Sequence, residues 1–211
     1  VVYNGKSYIQ TESEIDPTLA KDVLGEKLGT TKGGVDESSK QKDYEEVELA
    51  STWSGMDVYT VQGYDPSFRI MTYTEQGGEI WAEIMEHIND ITIKSGADIF
   101  GSLKMLGNVA AASWQSYDDW LNSRERFYEL TDLNIVEEFV VGLNEAKPLL
   151  AEDGAHPFYV SKDIKKLSIA LQDGIVVNLS LQKDGYVRYG YIDVIFEMDH
   201  EVFSKLWELM E

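Results

Sequence analysis

Apolar side chains recur in this chain with two different periods, and the switches between them outline its elements. Strict alternation dominates the tail: Leu167, Ile169 and Leu171 precede an Asp173-Gly174 turn, Val177, Leu179 and Leu181 precede Asp184-Gly185, and a last run extends from Val187 to Phe196. Period two between Asp-Gly turns predicts a three-stranded antiparallel meander. Spacing of three and four predicts helices instead. Val136, Phe139, Val140 and Leu143 fall on one stripe between a capping Thr131 and a terminating Pro148, and Phe203, Leu206, Trp207 and Met210 repeat the stripe behind a capping Asp199.

The first half reads mostly as strands. Val1–Tyr3 and Ser7–Gln10 flank Asn4-Gly5, which tolerates positive φ at both positions and predicts a type I′ hairpin. Leu19, Val23 and Leu24, punctuated by Gly25 and Gly29, predict one or two helical turns acting as a connector. The glycine-, serine- and charge-rich stretch from Thr30 to Glu48 has little apolar periodicity and is expected to be a mobile loop. Alternation returns over Asp57–Gly63, and Asp65-Pro66 turns the chain into a β-favouring run, Phe68–Thr74. Glu79–Ile88 fits both periods, with Ile80, Ile84 and Ile88 at helical spacing, but the preceding Gln76-Gly77-Gly78 is a hairpin turn and decides for strand.

Beyond Asp90 the texture changes. Ser95–Gly101 opens a new segment, Val109–Trp114 is a small-residue strand, and the helices and meander follow. The expectation is an α+β fold with antiparallel sheets and helices packed on one face, divided into a β-rich subdomain (1–92) and an α+β subdomain (93–211). The halves do not repeat one another.

Composition adds a well-filled interior and a strongly negative surface. With 43% hydrophobic and 11% aromatic residues over 211 positions, the chain can bury a sizeable core. Its 38 acidic against 18 basic residues give a net charge of −20. Both halves are acidic, and no run concentrates Lys and Arg as a phosphate-binding surface must, which argues against nucleic acid as a partner. A spread acidic surface is first of all a solubilising one. The absence of cysteine removes disulfides, thiolate nucleophiles and thiolate metal sites together. No run approaches the roughly 18 consecutive apolar residues of a membrane span. A start at Val1, with strand pattern from the first residue, is expected of a processed or trimmed chain whose signal or anchor has been removed.

Candidate chemistry is sparse. The three histidines, His87, His156 and His200, are far apart in sequence and none has a second histidine at metal-ligand spacing. Trp53-Ser54-Gly55 lacks the first glycine of a nucleophile elbow, and neither a phosphate-binding loop nor an EF-hand loop occurs. Adjacent carboxylates such as Asp118-Asp119 and Glu137-Glu138 are what so acidic a composition produces. No catalytic residue, cofactor or metal ligand is assigned. The one concentration of side chains suited to recognition is Trp114, Tyr117 and Trp120 followed by Arg124, the residue types that dominate binding hot spots. The same aromatics equally suit a partly buried core with a polar edge, and the sequence leaves both readings open.

Three short motifs occur in a recurring order: Tyr3-Asn4-Gly5-Lys6-Ser7-Tyr8, then Leu24-Gly25-Glu26-Lys27-Leu28-Gly29, then Val58–Gly63 continued by Asp65-Pro66. This order resembles the extracytoplasmic portions of Gram-positive lipoproteins and membrane-anchored proteins of uncharacterised function, over roughly the first 75 residues. The resemblance implies a location outside the cytoplasmic membrane, held there by an N-terminal segment that this chain lacks, and carries no catalytic residue with it. The expected function is a non-enzymatic cell-surface binding or sensory module of unknown ligand. The alternative is a cytosolic acidic interaction protein, of immunity or inhibitor type, whose charge complements a basic protein partner.

Overall fold

The computed structural model describes residues 1–36, 38–40, 44, 46–150, 163–190 and 192–211. They form an α+β fold rich in sheet, whose internal contacts divide it into two compact units, Val1–Asp90 and Ile91–Glu211.

The first unit opens with a hairpin of β1 (Val2–Tyr3) and β2 (Lys6–Ser7), in which Asn4 and Gly5 both take positive φ, 50° and 69°, as a type I′ turn requires. Then come β3 (Ile9–Gln10), β4 (Ser13–Ile15) and the short helix α1 (Pro17–Ala20), capped by Asp16 and continued by one 3-10 turn over Lys21–Val23. The remaining strands are β5 (Leu24–Gly34), β6 (Ala50–Ser51), β7 (Ser54–Val61), β8 (Arg69–Gln76) and β9 (Glu79–Glu86). They pair in the order β3-β9-β8-β7-β5-β6, antiparallel except for β5 with β6. Glu79–Glu86 is a strand because Gly77 and Gly78, both at positive φ, close it back onto β8 in register from Gln76↔Glu79 to Arg69↔Glu86. Tyr8, Leu49, Val58, Ile70 and Met85 form the core of this unit.

One expectation fails here. The segment Thr30–Gly34, expected to begin a mobile loop, is the end of β5, paired with β7 and β6. Four glycines leave this strand almost no local preference, and irregular register with β7 shows that its partner, not its own sequence, holds it extended. Glu37, residues 41–43 and Glu45, in the rest of that expected loop, lie outside the described residues.

The second unit comprises α2 (Ala97–Phe100), β10 (Val109–Ser116), α3 (Tyr117–Leu121), β11 (Tyr128–Glu129), α4 (Leu133–Glu145), β12 (Lys147–Leu150), β13 (Ile164–Leu171), β14 (Ile175–Gln182), β15 (Tyr186–Arg188), β16 (Val194–Glu197) and α5 (His200–Glu208). Its strands follow the order β11-β10-β13-β14-β15-β16-β12 with antiparallel pairings. Leu167, Ile169, Val177, Leu179, Leu181 and Val187 are fully buried, as the alternation requires. The expected third strand, Val187 to Phe196, is instead a hairpin of β15 and β16, broken where Gly190 turns to φ 59°. Helix α4 is capped by Asp132 rather than Thr131: the Asp132 carboxylate accepts from Asn134 N–H at 3.2 Å. Pro148 ends the helical pattern by entering β12, which stands at the end of the strand order, where a missing N–H is tolerated. Helices α4 and α5 pack together through Phe139 and Phe203, centroids 6.4 Å apart, and Gly142 permits the approach, because a Cβ there would stand 2.9 Å from Val202 Cγ1.

Candidate functional site

The recognition residues singled out in the sequence are held by α3 and the strands on either side of it. Ser116 ends β10 in extended backbone and caps α3: its hydroxyl accepts from Asp119 N–H at 3.1 Å and donates to the Asp119 carboxylate at 2.9 Å. Both aspartates in the first turn face the positive end of the helix. The helix then closes with a Schellman pattern, Arg124 N–H to Asp119 C=O at 2.8 Å and Ser123 N–H to Trp120 C=O at 3.1 Å, with Ser123 at φ 52°.

Arg124 fixes the chain that follows. Its guanidinium donates to Asp118 at 2.7 Å and Asp119 at 3.3 Å, while its carbonyl accepts from the amide of the buried Gln115. The Ser116 hydroxyl first, and then Arg124 and Arg126, hold the Asp119 carboxyl below the usual carboxylate range. Arg124 is therefore a clamp within the element rather than a free recognition group.

The aromatic rings form two separate stacks. Trp114, on β10, faces Tyr128 across the β10–β11 pair, with centroids 4.7 Å apart, and Tyr117 stacks on Trp120 within α3 at 5.4 Å. Each stack covers a lysine. Lys165 Nζ lies 4.8 Å from the Trp114 ring and 4.3 Å from that of Trp207, and donates to Met210 C=O at 2.6 Å. Burial lowers its pKa. Lys166, on the opposite face of β13, places its Nζ 4.5 Å from the Trp120 ring and donates to Ser180 at 2.9 Å.

Despite these inner contacts the outer faces stay open. Trp120 is 44% exposed, Leu121 62%, Phe127 59% and Tyr128 48%. Four large apolar side chains are thus open within one short segment, and exposure of this kind marks interaction sites, although Trp120 and Tyr128 lie over lysines on opposite faces of β13. Beside it a cavity of about 550 Å³ is lined by Tyr117, Leu121, Lys165, Lys183, Trp207 and Glu211. The sequence reading missed Leu121, Phe127, Tyr128 and the two lysines. The adjacent Phe127-Tyr128 pair was the available signal; the lysines gave none, since only the β10–β13 register brings Lys165 opposite Ser116 and Lys166 opposite Gln115.

Neither described histidine belongs to a cluster that could hold a metal ion. His87 donates from Nδ1 to Ser7 C=O at 3.0 Å and its ring lies 5.7 Å from that of Tyr8, so it supports the first hairpin. His200 is the first residue of α5, with Nδ1 3.3 Å from Ser204 Oγ. His156 lies outside the described residues. Among the described residues no group of three or more His, Asp or Glu side chains is arranged to hold a metal ion, and no helix is long and apolar enough to cross a membrane. No known protein family, curated protein or solved structure matches this chain.

Proposed function

We propose that this chain is a non-enzymatic binding module whose recognition surface is the aromatic segment 117–129. The observation that carries the reading is the combination of exposure and rigidity. Trp120, Phe127 and Tyr128 stay open on backbone that is capped, closed and clamped by Arg124. Ordering such side chains on binding costs little entropy, because the loop is already fixed. In this reading the module consists of a β-rich subdomain (1–92) and an α+β subdomain (93–211) with helices on one sheet face; the division of contacts at Asp90 supports the first point and the α4–α5 pairing the second. In its full-length form it is anchored at the outer face of a Gram-positive membrane, a placement supported by the motif order of the first 75 residues.

The test is a Trp120→Ala/Phe127→Ala variant, verified as folded by circular dichroism, compared with the parent for partners captured from cell-envelope and cytosolic fractions. At least one partner held by the parent and released by the variant is expected. Identical capture by the two proteins would overturn the assignment of the surface. Turnover in a broad esterase, phosphatase and glycosidase screen, abolished by changing one of His87, His156 or His200, would overturn the non-enzymatic reading.

A further inference from the structure

The charges around the aromatic segment define the partner's chemistry. Between residues 117 and 132 there are five carboxylates and two guanidiniums. Both guanidiniums are engaged inside the element, Arg124 with Asp118 and Asp119 and Arg126 with Asp119 at 3.8 Å. Of the nearby lysines, Lys166 is only 8% exposed beneath Trp120 and Lys165 is held between two indoles, while Lys183 is exposed in the cavity wall, where Asp118, Asp163 and Glu211 outnumber it. Glu125 and Glu129, in contrast, are exposed and make no ion pair among the described residues. The segment thus combines exposed apolar rings with exposed carboxylates that carry no ion pair among the described residues, on a molecule of net charge −20.

On that basis, and resting on the binding-surface reading above, we propose that the partner is a protein with a basic surface: an apolar recess ringed by Lys or Arg that receives Trp120 and Phe127. The negative field would speed such an encounter and oppose anionic membranes and nucleic acids. A neutral glycan would stack on the rings and donate hydroxyls to Glu125 and Glu129, but it would gain nothing from the long-range negative field, so its binding would not share the salt dependence expected of a basic partner. The strand β11 also favours a polypeptide: it stands at the end of the strand order with β10 as its one neighbour among the described residues, so its outer edge can accept an extended segment.

The test measures the affinity of three probes for the folded full chain: a fluorescein-labelled peptide of alternating lysine and leucine, phosphatidylglycerol vesicles, and a neutral β-linked oligosaccharide. Trp120→Ala/Phe127→Ala should weaken the peptide about 30-fold, as loss of hot-spot aromatics does. Glu125→Gln/Glu129→Gln should weaken it about 5-fold at low salt and much less at high salt. A control pair on the first unit, Glu26→Gln/Glu79→Gln, should change it less than about 2-fold, as expected of exposed charges outside the recognition segment. Absent peptide binding, or binding that the control pair weakens as much as the Glu125/Glu129 pair, would overturn the basic-partner inference. Patch-dependent binding of vesicles or oligosaccharide without patch-dependent peptide binding would overturn it too, while leaving the binding surface in place. If no probe responds to the Trp120/Phe127 change, both proposals fall.

Discussion

Arg69 and Glu86 place an ion pair where the alternation of β8 and β9 would suit two apolar side chains. Neither is exposed to solvent; Arg69 donates to Glu86 at 2.9 and 2.5 Å and to Ser13 at 2.9 Å, Thr11 donates to the second Glu86 oxygen at 2.8 Å, and Tyr64 covers the guanidinium at 4.2 Å. Removing one partner strands a buried charge, so Glu86→Ala is expected to destabilise the first unit by about 3–5 kcal/mol, whereas Arg69→Met with Glu86→Leu should cost much less. Urea midpoints decide this, and a double variant as unstable as the single would refute it. Tyr8 supplies a pH signature. Its hydroxyl donates to Pro66 C=O at 2.8 Å, and burial, helped by Tyr3, Asp65 and Glu48, pushes its pKa up to about 12. A folded pKa above the unfolded value near 10 gives a contribution that is complete below pH ~10 and lost as pH rises toward 12. Tyr8→Phe should therefore be less stable than the parent at pH 8 by about 1 kcal/mol, with the gap closing by pH 12 in thermal melts.

Among the elements, the two long helices were the most legible and remain the easiest to test. Phe139 is fully buried and Trp207 is 7% exposed, stacked on Phe203 at 5.7 Å. Phe139→Ala and Trp207→Ala are each expected to destabilise the fold by about 3–5 kcal/mol. An unchanged denaturant midpoint in either variant would contradict the packing drawn here. Their stripes were readable because an amphipathic helix writes its buried face into spacing alone. Strand β5 was not readable, because Leu24–Gly34 carries four glycines and is held by β7, about 20 to 40 residues away along the chain. The β15–β16 hairpin hid for a related reason: Tyr, Ile and Val continue through the bend, and only the positive φ of Gly190 shows the break.

For the whole molecule the dominant quantity is a net charge of −20. Self-repulsion on that scale destabilises the compact state and is screened by salt. The melting temperature is expected to rise between roughly 0.02 and 0.3 M NaCl, over which the Debye length falls from about 20 to 6 Å. A melting temperature that fell over this range would mean that surface attractions such as Lys27–Asp57, at 2.6 Å, outweigh the repulsion. The same field surrounds the proposed recognition segment, to which the exposed Glu125 and Glu129 add locally.

The sequence by itself determined what depends on local chemistry: the Asn4-Gly5 hairpin, the turns at Gly77-Gly78 and Asp173-Gly174, the α4 and α5 stripes with the Asp199 cap, and the concentration of Trp114, Tyr117, Trp120 and Arg124. The tertiary structure decided what depends on partners distant in the chain. It separated Trp114 from Tyr117 and Trp120, because β10 pairs with β11 and so gives Trp114 to Tyr128. It turned Arg124 inward to two aspartates, and brought Lys165 and Lys166 beneath the rings through the β10–β13 register. Exposure is a property of the finished packing, so whether these aromatics form core or surface could be read only once the strands beside them were in place.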